Sequence, residues 1–439
     1  MKKIIPTTII VLICFLIIFI LASGFFYQNT DYEFSEDFFK ISVSFFGDAS
    51  SSRAFSFFTR DESYKDICNI QLDPAEENEQ TPNFRDRDNI IIKAESHNTY
   101  MLYPSQLRHY GVADSLEKGT KYFYRVGSQQ KRAWSAWGYF VTDDQDSDFM
   151  FFHITDSQSK EEAEFEAYRE SLSKAYQTAG IPEFIITTGD LVETGLNTQE
   201  WDLFFDKTQD FMFKTTFAPA NGNHELLSTP IYYHFHLDTP KNQIRYSFEY
   251  GNALFIILES NTLDYKNQSA WMQEVFAASD KEFKIVAFHK APFSSGNHAA
   301  QKDVTAIRNQ VVPFLYEHGV DLVLNGHDHI YCRTYPLIND EVGSWDSRTQ
   351  TKVGDASKIT YKNPNGVIYS INRSIGSKFY TKSKTMNDHL IEFGDQERVL
   401  KPVFSKVIIK DNTLNYISYE YDRGDTDEVR IIDWFEIEK

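Results

Sequence analysis

The chain has 439 residues, and its 44 Lys and Arg against 63 Asp and Glu give a formal net charge of −19. This length suffices for two or three domains with buried cores, and 3 cysteines are too few for a small disulfide-stapled scaffold. The negative charge disfavours binding along a nucleic-acid groove, and an aromatic content of 15% excludes a disordered polymer.

Residues 1–28 are predicted to direct the chain to a membrane. Two lysines precede an uncharged, apolar run over residues 4–26, which is long enough for a helix that spans a bilayer. This run fits either a signal peptide that is cleaved near Ala22 and Gly24 or an uncleaved anchor, and it favours the anchor because Thr7 and Thr8 barely interrupt the apolar span. In both cases the lysines predict that the rest of the chain lies outside the cytoplasm, either secreted or held by the N-terminal helix.

Residues 31–146 have the pattern of an all-β sandwich. Short β-rich stretches alternate with turns that contain Asn, Asp, Gly and Pro. The predicted strands cover residues 53–59, 90–92, 99–102, 122–126 and 137–141. A polar, aspartate-rich stretch follows Thr142, and we predict a domain boundary there. Of the cysteines, Cys68 and Cys332 lie after the membrane-directing segment; they form either one distant bridge or two buried thiols.

In residues 147–439 strands alternate with helices and are then followed by strands alone. The predicted helices cover residues 160–178, 199–213, 269–278 and 302–318. The predicted strands cover residues 149–154, 183–187, 216–219, 246–250, 253–258, 283–288, 321–324, 367–372, 403–409, 414–421 and 428–435. This order predicts an α/β domain that is built on mixed sheets.

Polar blocks stand where five of these apolar strand runs stop. Side chains at the carboxyl ends of strands can converge without disturbing the core, so the blocks are best interpreted together. One aspartate after a strand can simply cap a helix, and Gly-Asn can form a turn, but neither explains five ordered blocks. The blocks are Thr155-Asp156-Ser157-Gln158, Gly189-Asp190-Leu191-Val192-Glu193, Gly222-Asn223-His224-Glu225, His289, and Gly326-His327-Asp328-His329.

These blocks, in this order, resemble the pattern of the calcineurin-like metallophosphoesterase superfamily over residues 148–336. Within it, residues 326–334 are similar to the extended last motif of purple acid phosphatase-like proteins. Residues 118–127, followed by Trp134-Ser135, resemble the fibronectin type III-like domain that precedes the catalytic domain in that family. The resemblance implies a four-layer metallophosphoesterase fold with mixed β-sheets flanked by helices, preceded by an all-β sandwich.

The resemblance also implies a centre with two metal ions. By position, Asp156 and His329 would bind the first ion, Asp190 would bridge both ions, and Asn223, His289 and His327 would bind the second ion. Carboxylates and imidazoles suit transition metals, and two close ions can hold a hydroxide that attacks a phosphate ester. Asp190 and His224 are the implied catalytic residues, with His224 stabilising the transition state or protonating the leaving oxygen.

This sequence departs from the family pattern at two positions. Glu193 stands where purple acid phosphatases have a tyrosine that ligates ferric iron, so no purple chromophore is expected. Gln158 stands where many relatives have a histidine, and its amide would be a weaker ligand or only a hydrogen-bond donor to the ligands. Without the tyrosinate, Fe, Mn and Zn all remain admissible. Of the neighbouring residues, Glu225 is expected to orient the His224 ring. His298 is either a substrate-side histidine or an ordinary loop residue.

We therefore expect an exported, metal-dependent phosphoesterase, acid phosphatase-like, that hydrolyses phosphomonoesters. A phosphodiesterase or a pyrophosphate hydrolase with the same centre is the alternative, because the walls of the pocket decide selectivity. A cell-surface binding protein that keeps the fold as a scaffold is a third reading. The complete set of candidate ligands argues against that reading.

Overall fold

The computed structural model describes residues 33–76, 78–84, 89–99, 106–146, 148–225, 229–239, 243–262, 264–383, 387–424 and 428–439. The predicted membrane-directing segment, residues 1–28, lies outside these ranges, and so does most of the predicted strand 99–102. Among the helices of the described ranges, none is both long and apolar enough to cross a membrane.

Two sheets form the part of the chain before residue 147. Its strands are β1 (Glu33–Phe34), β2 (Phe39–Ser44), β3 (Arg53–Thr59), β4 (Asn69–Pro74), β5 (Ile90–Lys93), β6 (Glu95–Asn98), β7 (Leu107–Ala113), β8 (Lys121–Ser128), β9 (Ala133–Trp134) and β10 (Gly138–Val141). Strands β1, β9, β8, β4 and β5 follow one another in the first sheet, with β10 paired to β8, and β2, β3, β7 and β6 belong to the second. Side chains such as Ile41, Phe57, Tyr124 and Val126 form one buried cluster with contributions from both sheets. This is the predicted β-rich N-terminal domain.

The remaining strands and helices form the α/β part. The helices are α1 (Glu162–Ala179), α2 (Thr198–Met212), α3 (Thr229–His234), α4 (Tyr265–Ala278), α5 (Lys302–Gln310) and α6 (Val312–Glu317). The strands are β11 (Phe149–Ile154), β12 (Phe184–Thr187), β13 (Thr216–Pro219), β14 (Tyr246–Tyr250), β15 (Ala253–Ile257), β16 (Phe283–Lys290), β17 (Leu322–Gly326), β18 (Cys332–Thr334), β19 (Leu337–Ile338), β20 (Glu341–Val342), β21 (Ser347–Val353), β22 (Ala356–Lys362), β23 (Ile368–Ile371), β24 (Ile391–Gly394), β25 (Val403–Lys410), β26 (Thr413–Tyr421) and β27 (Val429–Glu438).

Two mixed sheets pack face to face in this part, with helices outside each of them. Strands β25, β11, β12 and β13 are neighbours in one sheet, and β14, β15, β16, β17, β23, β18 and β24 form the other. In β15, Phe255 and Ile257 belong to the large core shared with β11 and β12. Leu254 and Ile256, which alternate with them, pack instead with residues of α4, α5 and α6. The result is the predicted mixed α/β metallophosphoesterase fold.

One predicted helix is two helices in the structure. The sequence pattern predicts a single helix over residues 302–318, but α5 ends at Gln310 and α6 begins at Val312. Pro313 lies in the first turn of α6. Proline has no amide hydrogen for a preceding carbonyl and clashes with that turn, so it is tolerated at a helix start but not in a helix interior.

The N-terminal domain and the α/β part share one continuous sheet. Strand β2 pairs in parallel with β13, with Ser44 opposite Phe217. Beside this junction the buried Lys40 ammonium lies 2.7 Å from an Asp202 carboxylate oxygen and donates a 2.9 Å hydrogen bond to Gln106. Burial, partly offset by Asp202, lowers the pKa of Lys40 to about 8. The ion pair therefore connects the two parts at a point where Lys40 has little access to water.

Removing the Asp202 carboxylate is expected to destabilise the whole chain. The Asp202→Ala variant leaves the Lys40 charge buried with only neutral oxygen partners, those of the Gln106 amide and the Thr198 carbonyl, at a cost of about 3 kcal/mol in the free energy of unfolding. Urea unfolding of this variant beside Asp206→Ala, whose parent side chain is 69% exposed, measures the difference. Equal urea midpoints of unfolding for the two variants would show that the ion pair between Lys40 and Asp202 does not stabilise the junction.

Both described cysteines are buried and unpaired. Cys68 lies in the core of the N-terminal domain, and Cys332 lies in a small separate cluster in the α/β part. Of the two alternatives that the sequence leaves open, the structure shows two buried thiols. Burial raises the pKa of each thiol to about 12, which keeps them protonated and unreactive near neutral pH.

Candidate metal centre

The two facing sheets bring the candidate ligands to one edge. Strands β11, β12 and β13 are parallel neighbours, and so are β16 and β17. Their carboxyl ends therefore lie side by side. Asp156, Asp190 and Asn223 follow β11, β12 and β13, His289 lies in β16, and His327 and His329 follow β17.

The carboxylates and imidazoles form two groups that share one residue. Within each group, one potential ligand atom per residue lies within 4.8 Å of the others. The groups are Asp190, His289 and His327, and Asp156, Asp190 and His329. All five side chains are buried. Because Asp190 belongs to both groups, its carboxylate can bridge two ions.

Ligand atoms converge around Nε2 of His289. This nitrogen lies 3.1 Å from Asp190 Oδ2, 3.0 Å from Asn223 Oδ1 and 3.1 Å from His327 Nδ1. Nδ1 of His289 donates a 2.8 Å hydrogen bond to the Thr188 carbonyl, so a neutral ring directs its Nε2 lone pair into the cluster. Four closely spaced electron-pair donors fit a transition-metal cation.

The second group is arranged in the same way. His329 donates from Nδ1 to the Lys378 carbonyl at 2.8 Å, and its Nε2 lies 3.4 Å from Asp156 Oδ1. The Asp156 carboxylate accepts hydrogen bonds from the His327 amide and the Thr155 hydroxyl, each at 2.9 Å. These bonds fix the ligand orientations independently of any ion, as second-sphere contacts do in metal sites.

The cluster has a strongly negative field at the His289 ring. Burial lowers the pKa of His289, but Asp190 and Asp156 outweigh burial and raise it to about 9. Burial raises the pKa of Asp190, but His289 and His224 outweigh burial and hold it below its ordinary value. A bound cation would compensate the negative charge of these carboxylates in place of the proton on His289.

Four candidate ligands have strained backbones. The φ angles are 54° at Asp156, 53° at Asp190, 76° at His327 and 48° at His329. Side chains other than glycine rarely adopt this region, and such strain concentrates at functional sites. Two glycines also permit close approach: a Cβ atom at Gly222 would overlap the Asp190 carboxylate, and one at Gly326 would overlap Thr155.

His224 lies at the solvent-facing side of the cluster. Its amide donates to Asp190 Oδ1 at 2.8 Å, and its ring Nδ1 donates to the Glu193 carbonyl at 2.8 Å. The ring side chain is 27% exposed, whereas Asp190 is buried. Its Nε2 is therefore the nitrogen that can face a substrate, as a proton donor requires.

Glu225 does not have the contacts that the sequence analysis expects. Its buried carboxylate accepts hydrogen bonds from four amides, those of Asp190, Leu191, Val192 and Gly222. The His224 ring is oriented by the Glu193 carbonyl instead. Burial and the nearby Asp190 charge raise the pKa of Glu225 to about 7. The residue connects the loops after β12 and β13 and does not touch the ring, because its side chain points into the fold.

The other candidates surround the cluster. Gln158 is buried, and its Oε1 has no hydrogen-bond partner among the described residues. The Glu193 carboxylate pairs with the Lys378 ammonium and belongs to neither ligand group. His298 Nδ1 lies 2.9 Å from Asp328 Oδ1, and its ring centroid lies 4.2 Å from that of His327. His298 is thus placed beside His327, one of the candidate ligands.

Several residues at the site were not assigned from the sequence. The carbonyls of Thr188 and Lys378 orient two ligand rings, and main-chain groups carry no residue-type signal. Tyr380 stacks on His329 with ring centroids 4.3 Å apart. The Gly376-Ser377-Lys378 segment, which follows β23, is the sequence feature that marks this region.

Comparisons with known proteins agree with the fold. Residues 149–331 match the family described as calcineurin-like phosphoesterase, and residues 39–142 match the purple acid phosphatase N-terminal domain. Purple acid phosphatase 18 of Arabidopsis thaliana is 26% identical over 266 residues, which cover 55% of this chain and 56% of that protein. Phosphoenolpyruvate phosphatase of Allium cepa is 25% identical over 270 residues, which cover 55% of this chain and 53% of that protein.

Solved structures share the fold at low sequence identity. Purple acid phosphatase PPD1 from yellow lupin, Lupinus luteus, superposes with a TM-score of 0.73 at 16% identity over 91% of this chain and 74% of that chain. The structure of PhoD superposes with a TM-score of 0.58 at 12% identity, over 91% of this chain and 93% of that chain.

The fold and the family matches define a calcineurin-like phosphoesterase domain in this chain. More particularly, the chain combines a calcineurin-like phosphoesterase domain with a purple acid phosphatase N-terminal domain, as its motifs predict. The matches span only about half the length of the curated relatives. The domain boundaries at residues 31, 146 and 147 and the likeness to fibronectin type III stay predictions.

Proposed function

We propose that this chain is a metal-dependent phosphoesterase that hydrolyses phosphomonoesters, with acid phosphatase-like chemistry. The observation that carries the proposal is the pair of buried ligand groups joined by Asp190. The two relatives named above are both phosphatases by name, which supports the same reaction class.

The residues of the proposed metal centre have separate roles in metal binding and proton transfer. Asp156 and His329 would hold the first ion, Asn223, His289 and His327 would hold the second, and Asp190 would be a ligand of both. When bound, such a pair of ions supplies an activated water and neutralises charge on the phosphoryl oxygens. His224, the most exposed of these groups, donates a proton to the leaving oxygen or stabilises the charge that develops there.

The ligand atoms limit the metal to borderline transition ions without choosing one. Fe, Mn and Zn all accept carboxylate, amide oxygen and imidazole ligands. The position three residues after Asp190 holds Glu193, whose carboxylate pairs with Lys378. Because this residue is not a tyrosine, it cannot supply a phenolate ligand to ferric iron.

Turnover of two related substrates tests the proposal. Purified protein is supplied with Mn, Zn or Fe, its bound metal is measured, and p-nitrophenyl phosphate is compared with bis-p-nitrophenyl phosphate. We expect about two ions per chain and a kcat/KM at least about 10-fold higher for the monoester, since both charges of the monoester can be neutralised by the ions. A preference for the diester would replace phosphomonoesterase by phosphodiesterase. Bound metal without turnover would favour a binding protein, and protein that binds no ion would refute the metal centre.

A further inference from the structure

The proposed proton donor, His224, contacts one short loop, residues 193–195, at two points. The Glu193 carbonyl accepts a 2.8 Å hydrogen bond from His224 Nδ1, and the Gly195 amide donates a 2.9 Å hydrogen bond to the His224 carbonyl. The first contact orients the ring, and the second holds the main chain that carries it. The direction of the His224 ring therefore depends on where residues 193–195 lie.

The loop lies against the main chain that follows His224. A Cβ atom at Gly195 would lie 2.5 Å from the Glu225 Cα atom, so only glycine permits this close approach. The four amides that bond to the Glu225 carboxylate belong to residues 190–192 and 222. Glu225 thus fixes the chain before the loop, and residues 193–195 are held by other side chains.

The first turn of α2 supplies the contacts that hold the loop. Glu200 Oε2 accepts a 2.6 Å hydrogen bond from the Thr194 amide, and Oε1 accepts a 2.9 Å hydrogen bond from Asn197 Nδ2. Trp201 Nε1 donates a 2.7 Å hydrogen bond to the Gly195 carbonyl. The Glu200 and Trp201 side chains are buried. Because water cannot replace a partner that is lost there, each of these bonds is costly to break.

Helix α2 has a fixed position in the fold. Gln209 accepts a 3.0 Å hydrogen bond from the Ile41 amide of β2 and donates a 2.8 Å hydrogen bond to the Ile41 carbonyl. Trp201 belongs to the large core, and its ring stacks on His234 with centroids 4.0 Å apart. The helix is therefore a rigid support from which Glu200 and Trp201 reach the loop.

We infer that Trp201 and Glu200 are positioning residues for His224: they hold residues 193–195, and this loop directs the His224 ring. The inference rests on the proposed function and adds two residues to it. Neither residue belongs to a candidate ligand group. A purely structural role would lower the stability of the fold whether or not His224 is present, whereas a positioning role acts only through the His224 ring.

A double-mutant cycle with His224 tests this role. Trp201→Phe keeps a buried aromatic ring and removes the bond to the Gly195 carbonyl. For phenyl phosphate and the full-length, metal-loaded protein we expect kcat to fall about 10-fold with KM and metal content unchanged, since a small displacement of a catalytic group is costly. In the His224→Ala background we expect the same substitution to change kcat by less than about 2-fold, because no ring is left to position.

Glu200 provides an independent pair of variants. Glu200→Ala removes both acceptor oxygens, whereas Glu200→Gln keeps one for the Thr194 amide, so kcat of Glu200→Gln should lie between those of Glu200→Ala and the wild type. Glu200→Ala is taken through the same cycle, so that the test does not depend on the folding of Trp201→Phe. Trp434→Phe, which removes a 3.1 Å indole hydrogen bond to Asn415 between β27 and β26, is the matched control and keeps the wild-type kcat.

The outcomes separate this inference from the proposed function. Circular dichroism and urea unfolding verify that each variant is folded in the assay. An equal fall in kcat with and without the His224 ring would overturn the positioning role and leave the phosphoesterase intact. Wild-type kcat in both Trp201→Phe and Glu200→Ala, or loss of metal in both, would overturn it as well. No turnover by the wild type would overturn the proposed function, and this inference with it.

Discussion

Asp190→Asn is expected to lose bound metal and turnover together. Asp190 is the one residue that belongs to both ligand groups, and an amide offers one neutral oxygen in place of a bridging carboxylate. Without that negative charge, two cations at short distance repel one another. We expect occupancy well below two ions per chain and a loss in kcat/KM on the order of 10³-fold or more, because the activated water and the neutralised phosphoryl charge are lost together.

Metal analysis and p-nitrophenyl phosphate kinetics on the same preparation measure both losses. Asp206→Asn, on the exposed surface of α2, is the control and keeps both properties. Circular dichroism of the two variants verifies that each is folded. Full metal occupancy in Asp190→Asn would show that its carboxylate does not bridge the ions.

His224→Ala is expected to separate metal binding from turnover. The ring contributes no atom to either ligand group, and its Nδ1 contact is to a carbonyl, so its removal leaves the ligands in place. The proton donor is lost, however. A positioned acid or base contributes about 10²-fold to 10⁴-fold, and we expect kcat to fall by that amount with wild-type metal content.

A substrate with a better leaving group provides the control for this prediction. An ester of a more acidic phenol needs less proton donation, so the loss in kcat of His224→Ala should be smaller than with phenyl phosphate. An equal loss for both esters would indicate electrostatic stabilisation of the transition state rather than protonation. A parallel loss of metal would contradict the role proposed for His224.

The parts of the fold that sequence predicts best are buried strands with a polar residue at their end. Residues 149–154 and 216–219 are strands with the predicted limits, since apolar side chains on both faces leave few alternatives. The polar blocks that follow such strands are visible because helix capping and turns explain each block singly but not their ordered co-occurrence. The blocks of Asp156 and Asp190 accordingly meet in the structure.

Exposed strands leave a weaker signal. The hairpin of β21 and β22 consists largely of Ser, Thr, Lys and Gln, and every residue of β21 is exposed. β21 has no buried face, and in β22 only Ile359 and Tyr361 contact the large core, so the apolar alternation is too short to predict the hairpin from the sequence. Its position is set instead by pairing with β27, a contact across more than 70 residues of chain that local pattern cannot show.

The contacts that orient the ligands were beyond sequence analysis for another reason. The Thr188 and Lys378 carbonyls would act in the same way with other side chains at those positions. Glu225 was noticed, but its partners are four main-chain amides, which only the folded loops bring together. Motifs thus identify which side chains converge. The fold decides which of these side chains can be metal ligands and which of them only hold the candidate ligands in place.

The pairing of β2 with β13 has a consequence for the catalytic part on its own. Strand β13 is bordered by β12 on one edge and by β2 on the other, and the loop after it carries Asn223 and His224. A truncated chain that starts at residue 147 would present an open strand edge, which invites aggregation. The same truncation would remove the pairing of β2 with β13, the strand that precedes the loop with the candidate ligand Asn223 and the proposed proton donor His224. We therefore expect proteolytic removal of the N-terminal domain to abolish the proposed phosphoesterase activity as well as to reduce solubility.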